Sequence, residues 1–153
     1  MITHKKLTEF GKQMEYWIIS LMLKEGLEIY TPFVDDDAID LIIKKPNGTF
    51  LEIQIKARSK TTVMGHGASF IMNYDKKRKN YFFVFYSERL NMFWIMSSAE
   101  FIKNSSVNKA GKNIGRRFID FNRKYKDKKT GKYKEYVYER FKKYIAKDFS
   151  RFR

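Results

Sequence analysis

With 153 residues, 43% hydrophobic and 17% aromatic, the chain has enough apolar material for one core and lacks the signature of disorder, so a single domain spanning 1–153 is expected. Its formal charge of +15, from 32 Lys and Arg against 17 Asp and Glu, points to a polyanion such as nucleic acid, although a solvated basic surface or an anionic membrane partner would give the same balance. The lack of cysteine excludes disulfides and thiolate metal sites, two histidines leave oxygen as the donor for any metal, and no apolar run approaches the roughly 20 residues of a membrane span, so the expected address is cytoplasmic with no membrane partner.

From Thr8 to Glu25 apolar residues Phe10, Met14, Trp17, Ile18, Leu21 and Met22 recur at three- and four-residue steps, and Gly26 follows as a stop, which predicts an amphipathic helix. Short β-rich runs follow at Leu27–Phe33, Ile39–Lys45 and Thr49–Arg58, the last two joined by the turn signal Pro46-Asn47-Gly48. Residues 59–67 read as a loop, Ala68–Met72 as a short strand, and Asn73–Asn80 as a polar loop or helical turn. Two further strands, Tyr81–Tyr86 and Met92–Met96, precede Ser97-Ser98-Ala99-Glu100, a capping box opening a short helix.

From residue 116 onward 15 Lys and Arg stand against 5 Asp and Glu, interleaved with aromatics. A helix over Lys134–Phe149 is predicted, with Val137, Phe141, Tyr144 and Ile145 on its apolar side. Phe141, Tyr144 and Ile145 read as core, while Tyr125 and Tyr133, flanked by cations, read as residues that meet a partner.

The chemistry concentrates in Asp35-Asp36-Asp37-Ala38-Ile39-Asp40 and Glu52-Ile53-Gln54-Ile55-Lys56. Alternation along a strand places Glu52, Gln54 and Lys56 on one sheet face and Leu51, Ile53 and Ile55 on the other, beside a hairpin partner that carries Asp40. Phosphodiester hydrolysis needs oxygen ligands for a divalent cation and a positive group near the attacking water or the phosphate. Asp40, the Gln54 amide oxygen and the Ile55 carbonyl suit the first need, and Lys56 the second. Glu15, at the edge of the helix's apolar face, reads either as a salt-bridged helix residue or as a further ligand, since a carboxylate there is costly unless paired.

A helical Glu within Gly11-x-x-x-Glu15, an Asp at a strand start, a hairpin and an amide two residues before Lys resemble the PD-(D/E)XK nuclease superfamily, which includes many restriction endonucleases and archaeal Holliday junction resolvases. The match covers about residues 8–60. It implies an α/β, restriction-endonuclease-like core of α-β-β-β-α-β type, a mixed central sheet flanked by helices, here with a basic C-terminal helical extension over about 116–153. It implies a DNA endonuclease using Mg²⁺ or Mn²⁺, with Asp40, Gln54 and Lys56 central and Glu15 and Glu52 assisting. A homodimer is compatible with this chemistry, because two strands need two sites. The sequence departs from the family at Gln54, where most members carry an acid, and in lacking the proline before the first Asp; Glu52 would supply the missing charge.

Arg58, Lys60 and Thr61 after the catalytic strand, and Arg116, Arg117, Arg123 and Lys124 in the basic segment, are the expected nucleic-acid contacts. Asp35, Asp36 and Asp37 read as turn residues, with Asp36 or Asp37 as an added metal contact, and His66 between glycines reads as a loop residue. Three alternatives remain. The hairpin face carrying Glu52 and Lys56 is an ordinary wet surface, or the same fold binds nucleic acid without cutting it, or the chain is an interaction module for a protein or ribosomal partner.

Overall fold

The computed structural model describes residues 4–34, 37–62 and 65–153. Helix α1 runs His4–Lys24, starting earlier than its apolar periodicity requires. It buries Ile18, Ile19 and Met22 against the sheet. The helix ends where Gly26 takes φ +81, a conformation that side chains resist. The Gly26 N–H then bonds the Leu23 carbonyl and the Leu27 N–H reaches the Met22 carbonyl, which satisfies groups the helix end would leave open.

The chain then enters β1 (Glu28–Tyr30), β2 (Leu41–Lys44) and β3 (Phe50–Arg58), an antiparallel meander in which Leu41 lies opposite Ile53. The Pro46-Asn47-Gly48 turn joins β2 to β3 as predicted, closed by Lys45 N–H to the Thr49 carbonyl at 2.8 Å. After β4 (Ser69–Met72), β5 (Tyr81–Ser87) lies parallel to β3 and β6 (Met92–Ser97) antiparallel to β5. With β11 (Ile145–Ala146), these strands make a six-stranded mixed sheet in the order β1-β2-β3-β5-β6-β11. Its two faces differ. Leu51, Ile53, Ile55, Val84 and Ile95 face α1, while Tyr81, Phe83, Phe85, Trp94 and Met96 face a second core shared with Phe70, Phe101 and Phe121.

Helix α2 (Ser98–Asn104) begins at the expected capping box: Ser97 Oγ accepts from the Glu100 N–H, and the Glu100 carboxylate accepts from the Ser97 N–H. Arg151 adds a 2.6 Å ion pair to the same carboxylate. Replacing Ser97 by alanine is expected to cost about 1 kcal/mol, read as a shift in the urea midpoint without a change in slope. An unchanged midpoint would show that the Glu100 carboxylate, held by the Ser97 N–H and Arg151, fastens this corner without the Ser97 hydroxyl.

Strands β7 (Ser106–Val107) and β8 (Arg117–Asp120) join β4 in a small sheet, and β9 (Asn122–Lys126) pairs with β10 (Tyr133–Val137) as a separate two-stranded ribbon. Two expectations fail here. The short strand expected at Ala68–Met72 is β4, but among the described residues the crossover helix that the α-β-β-β-α-β resemblance implies between β3 and β5 is missing; 59–67 is rich in Ser, Thr and Gly and 73–80 is polar but for Tyr74, so neither offers an apolar stripe for a helix to bury. The C-terminal helix predicted over Lys134–Phe149 is instead β10, the short α3 (Glu139–Lys142) and β11. Strand β10 closes a hairpin with β9 and β11 pairs with β6, far earlier in the chain, and these ladders outweigh local helical spacing. Phe141 and Tyr144 are nonetheless core, and Ile145 packs against it, whereas Tyr125 and Tyr133 are exposed.

Candidate active site

Strand β3 is the spine of the site. Its α1 side is apolar, as alternation requires, and Glu52, Gln54 and Lys56 share the other side. That side is not a uniformly wet face: Gln54 is buried, only 7% exposed.

Asp40 sits one residue before β2, where the ladder to β3 ends. Its backbone N–H bonds the Ile53 carbonyl at 2.9 Å, and its Oδ2 accepts the Ile55 N–H at 2.6 Å, so the carboxylate takes over where strand pairing stops. A residue's N–H and C=O project to the same edge of a strand, so the Ile55 carbonyl faces this edge as well. The approach to Asp40 is bent. Asp37 and Ala38 both have positive φ, 56° and 55°, a costly conformation in consecutive non-glycine residues. Their carbonyls are held by Arg78 at 2.7 Å and by the Tyr81 hydroxyl at 2.5 Å.

Glu15 reaches the same place from α1. It lines a cavity of about 140 Å³ together with Lys12, Tyr16, Ile39 and Asp40. Lys12 lies three residues before Glu15 on the helix and pairs with it at 2.9 Å. The Glu15 hydrogen bond is the main force raising the Lys12 pKa; burial opposes it, and the charges of Glu15 and Asp40 add to it. Helix and strand thus bring two carboxylates and one ammonium together.

On the other side of Asp40, Gln54 meets Tyr81. The Tyr81 hydroxyl has one proton and faces two acceptors, the Ala38 carbonyl at 2.5 Å and Gln54 Oε1 at 3.2 Å. The shorter bond takes the proton, which leaves the Gln54 oxygen buried and weakly satisfied. Burial pushes the Tyr81 pKa well above that of a free phenol, so it remains a donor at neutral pH. Glu52 belongs to a different cluster. Arg78 binds it at 2.7 Å while lying over the Tyr81 ring, 4.1 Å from its centre. Glu52, expected to supply the charge missing at Gln54, is thus paired with Arg78.

Lys56 is partly buried, two residues beyond Gln54 on the same face. Arg58 is partly buried and donates to the Ser69 carbonyl at 3.2 Å, tying β3 to β4. Lys60 and Thr61 are exposed on a turn that the Glu88 carboxylate holds through the Lys60 N–H. Arg116 and Arg117 are half-buried and bonded to Asn113 and Ser105, while Arg123 and Lys124 lie exposed on β9. His66 accepts the Lys124 N–H at 3.3 Å, a loop-fixing contact. Asp35 and Asp36 lie outside the described residues.

Among the described residues no three His, Asp or Glu side chains gather as a metal-holding group, and no helix is long and apolar enough to cross a membrane. Sequence reasoning missed Lys12, Arg78 and Tyr81. Lys12 was within reach of it, because a cation three residues from an acid on a helix is a neighbour.

No protein-family profile matches the sequence, and no curated relative matches it. Among solved structures, the chain is similar to a bacterial homing endonuclease, I-Ssp6803I, with a TM-score of 0.48 and 24% identity over 69% of this chain and 77% of the other.

Proposed function

We propose that this chain is a metal-dependent endonuclease that hydrolyses DNA phosphodiester bonds, on a core related to the PD-(D/E)XK nucleases. The observation that carries the reading is the convergence of Glu15 from α1 and Asp40 from the head of β2 on one cavity, beside a strand bearing Gln54 and Lys56.

The donor set suits Mg²⁺ or Mn²⁺. Mg²⁺ is commonly held by one or two carboxylates with water and substrate phosphate completing its shell, so two acids suffice. The weakly satisfied Gln54 oxygen is the kind of buried atom that gains from a cation. Asp40, Glu15, the Gln54 Oε1 and the Ile55 carbonyl would hold it. When bound, the cation would neutralise charge on the phosphate and acidify a water. Lys56 stabilises the negative charge that builds on the phosphate oxygens, or holds the attacking water by hydrogen bonding. Lys12 holds Glu15 in place through their ion pair. Tyr81 and Arg78 hold the bend before Asp40, and Arg78 neutralises Glu52 so that its charge does not repel the DNA. The basic surface supplies affinity for the backbone.

The test is incubation of the purified protein with supercoiled plasmid and with a branched junction, in Mg²⁺, in Mn²⁺ or in chelator. Cleavage that needs the metal and disappears in Asp40→Ala is expected. A wild type that binds DNA but never cuts it would sink the nuclease reading.

One observation favours a second reading, a DNA-binding protein that does not cut. Lys12 already balances Glu15, and Asp40 already accepts the Ile55 N–H, an arrangement that is stable without a metal. Binding that ignores both divalent cations and the Asp40→Ala change is its signature.

A further inference from the structure

The β9–β10 ribbon has two unlike faces. On one, Asn122 is fully buried, accepting the Ala68 N–H and donating to Glu135, which in turn pairs with Arg89. Val137, opposite Asn122, packs on the second core. Gly67 fits beneath this clamp because it has no side chain: a Cβ there would lie 2.8 Å from both Arg89 Nε and Glu135 Oε2. The other face carries Arg123, Tyr125, Lys134 and Tyr136, all exposed.

At the tip, the Asp127 carboxylate organises the turn through the Lys129 and Thr130 N–H groups and pairs with Lys134, while Lys128, Lys129 and Lys132 point to solvent. From Asn122 to Val137 there are seven Lys and Arg against two Asp and Glu. The ribbon is thus rigid at its base and cationic along its free face and tip. Its base packs through Val137 on the second core, and Asn122 bonds Ala68, the residue before β4, which Arg58 ties to β3 through the Ser69 carbonyl.

We propose that this ribbon is a duplex-DNA reader that enters the major groove. The inference rests on the nucleic-acid reading above and names the form of the substrate. A two-stranded ribbon fits the roughly 12 Å major groove of B-DNA, whereas the deep, narrow major groove of A-form RNA shuts it out. Its five-residue strands reach about 17 Å, or about five base pairs. Single strands are disfavoured by the aromatics themselves: Tyr125 and Tyr136 meet edge to face at 5.7 Å, and Lys124 lies over Tyr133 at 4.7 Å, so the rings are engaged by protein instead of forming a free stack for bases.

The experiment compares wild type with the tip variant K128A/K129A/K132A and with Arg123→Ala, measuring affinity for duplex DNA, duplex RNA and single-stranded DNA across a salt series. Wild type should prefer duplex DNA. The tip variant should bind it at least tenfold more weakly near 0.15 M salt, and its log–log salt slope should flatten by about 0.9 for each phosphate that is no longer neutralised. Thermal unfolding should not change, since these lysines are exposed. Variants that bind duplex DNA as wild type does, with the same slope, overturn the ribbon while leaving the nuclease reading intact. Stronger binding to single strands, abolished in Tyr125→Ala, overturns it in favour of a stacking surface. Wild type that binds no nucleic acid overturns both readings.

Discussion

Lys56→Ala is expected to slow single-turnover cleavage of supercoiled plasmid by about 10²–10³-fold, the usual loss when one group that stabilises transition-state charge is removed. Binding should change by less than about threefold, because Lys56 supplies at most one of many cationic contacts. Stability should change by no more than about 0.5 kcal/mol, since Lys56 is only partly buried and enters none of the ion pairs among the described residues. These three readings together separate a chemical role from a structural one. Lys56→Arg should recover little activity: the charge is kept, but a planar fork replaces a compact ammonium. Wild-type cleavage rates in Lys56→Ala would remove this residue from the chemistry and leave Asp40 and Glu15 as the site.

Phe121→Ala should produce the largest loss of stability, about 3–5 kcal/mol by urea unfolding. Phe121 is fully buried, and its ring meets those of Trp94 at 4.7 Å, Phe141 at 5.0 Å, Phe85 at 5.1 Å and Phe70 at 6.0 Å. No neighbour can fill the vacated space without breaking another ring contact. Its backbone also fastens the base of the ribbon, through its N–H to the Ala68 carbonyl and the Tyr138 N–H to its own carbonyl. Against a typical total of 5–15 kcal/mol, the variant would be marginal at body temperature. Tyr133→Ala, at a site 65% exposed, is the matched control, with an expected change within about 0.5 kcal/mol. A loss below about 1 kcal/mol in Phe121→Ala would mean that the second core does not hold the ribbon.

What could be read from the sequence was what local signals encode. The α1 periodicity, the Pro46-Asn47-Gly48 turn, the strands on either side of it and the Ser97–Glu100 box depend on neighbours within a few residues, and each is found where expected. Alternation along β3 also predicted which side chains share a face. The misread C-terminal segment shows the limit of such signals. Val137, Phe141, Tyr144 and Ile145 have helical spacing, but the hairpin to β9, the pairing of β11 with β6 and the buried ring cluster decide the outcome, and the last two are not local. Asp127 followed by Thr130-Gly131 was an available turn signal, flanked by alternating residues on both sides.

The same limit applies to the candidate site. The Asp40 and Glu15 positions follow from helix and hairpin geometry, but the partners of Glu52 and Gln54, Arg78 and Tyr81, lie 26 and 27 residues away in the chain. No spacing rule reaches across the β3–β5 crossover to find them.

Both margins of the six-stranded sheet are blunt. At one, β1 has three residues; at the other, β11 has two, and beyond it the Arg151 guanidinium takes the Ile95 carbonyl of β6 at 2.7 Å. Little free backbone is left for a neighbouring molecule to pair with, which guards against edge-to-edge aggregation. Two copies working on opposite strands of one duplex would therefore have to associate through side-chain surfaces, and their separation would be set by the DNA they share, not by a continuous sheet.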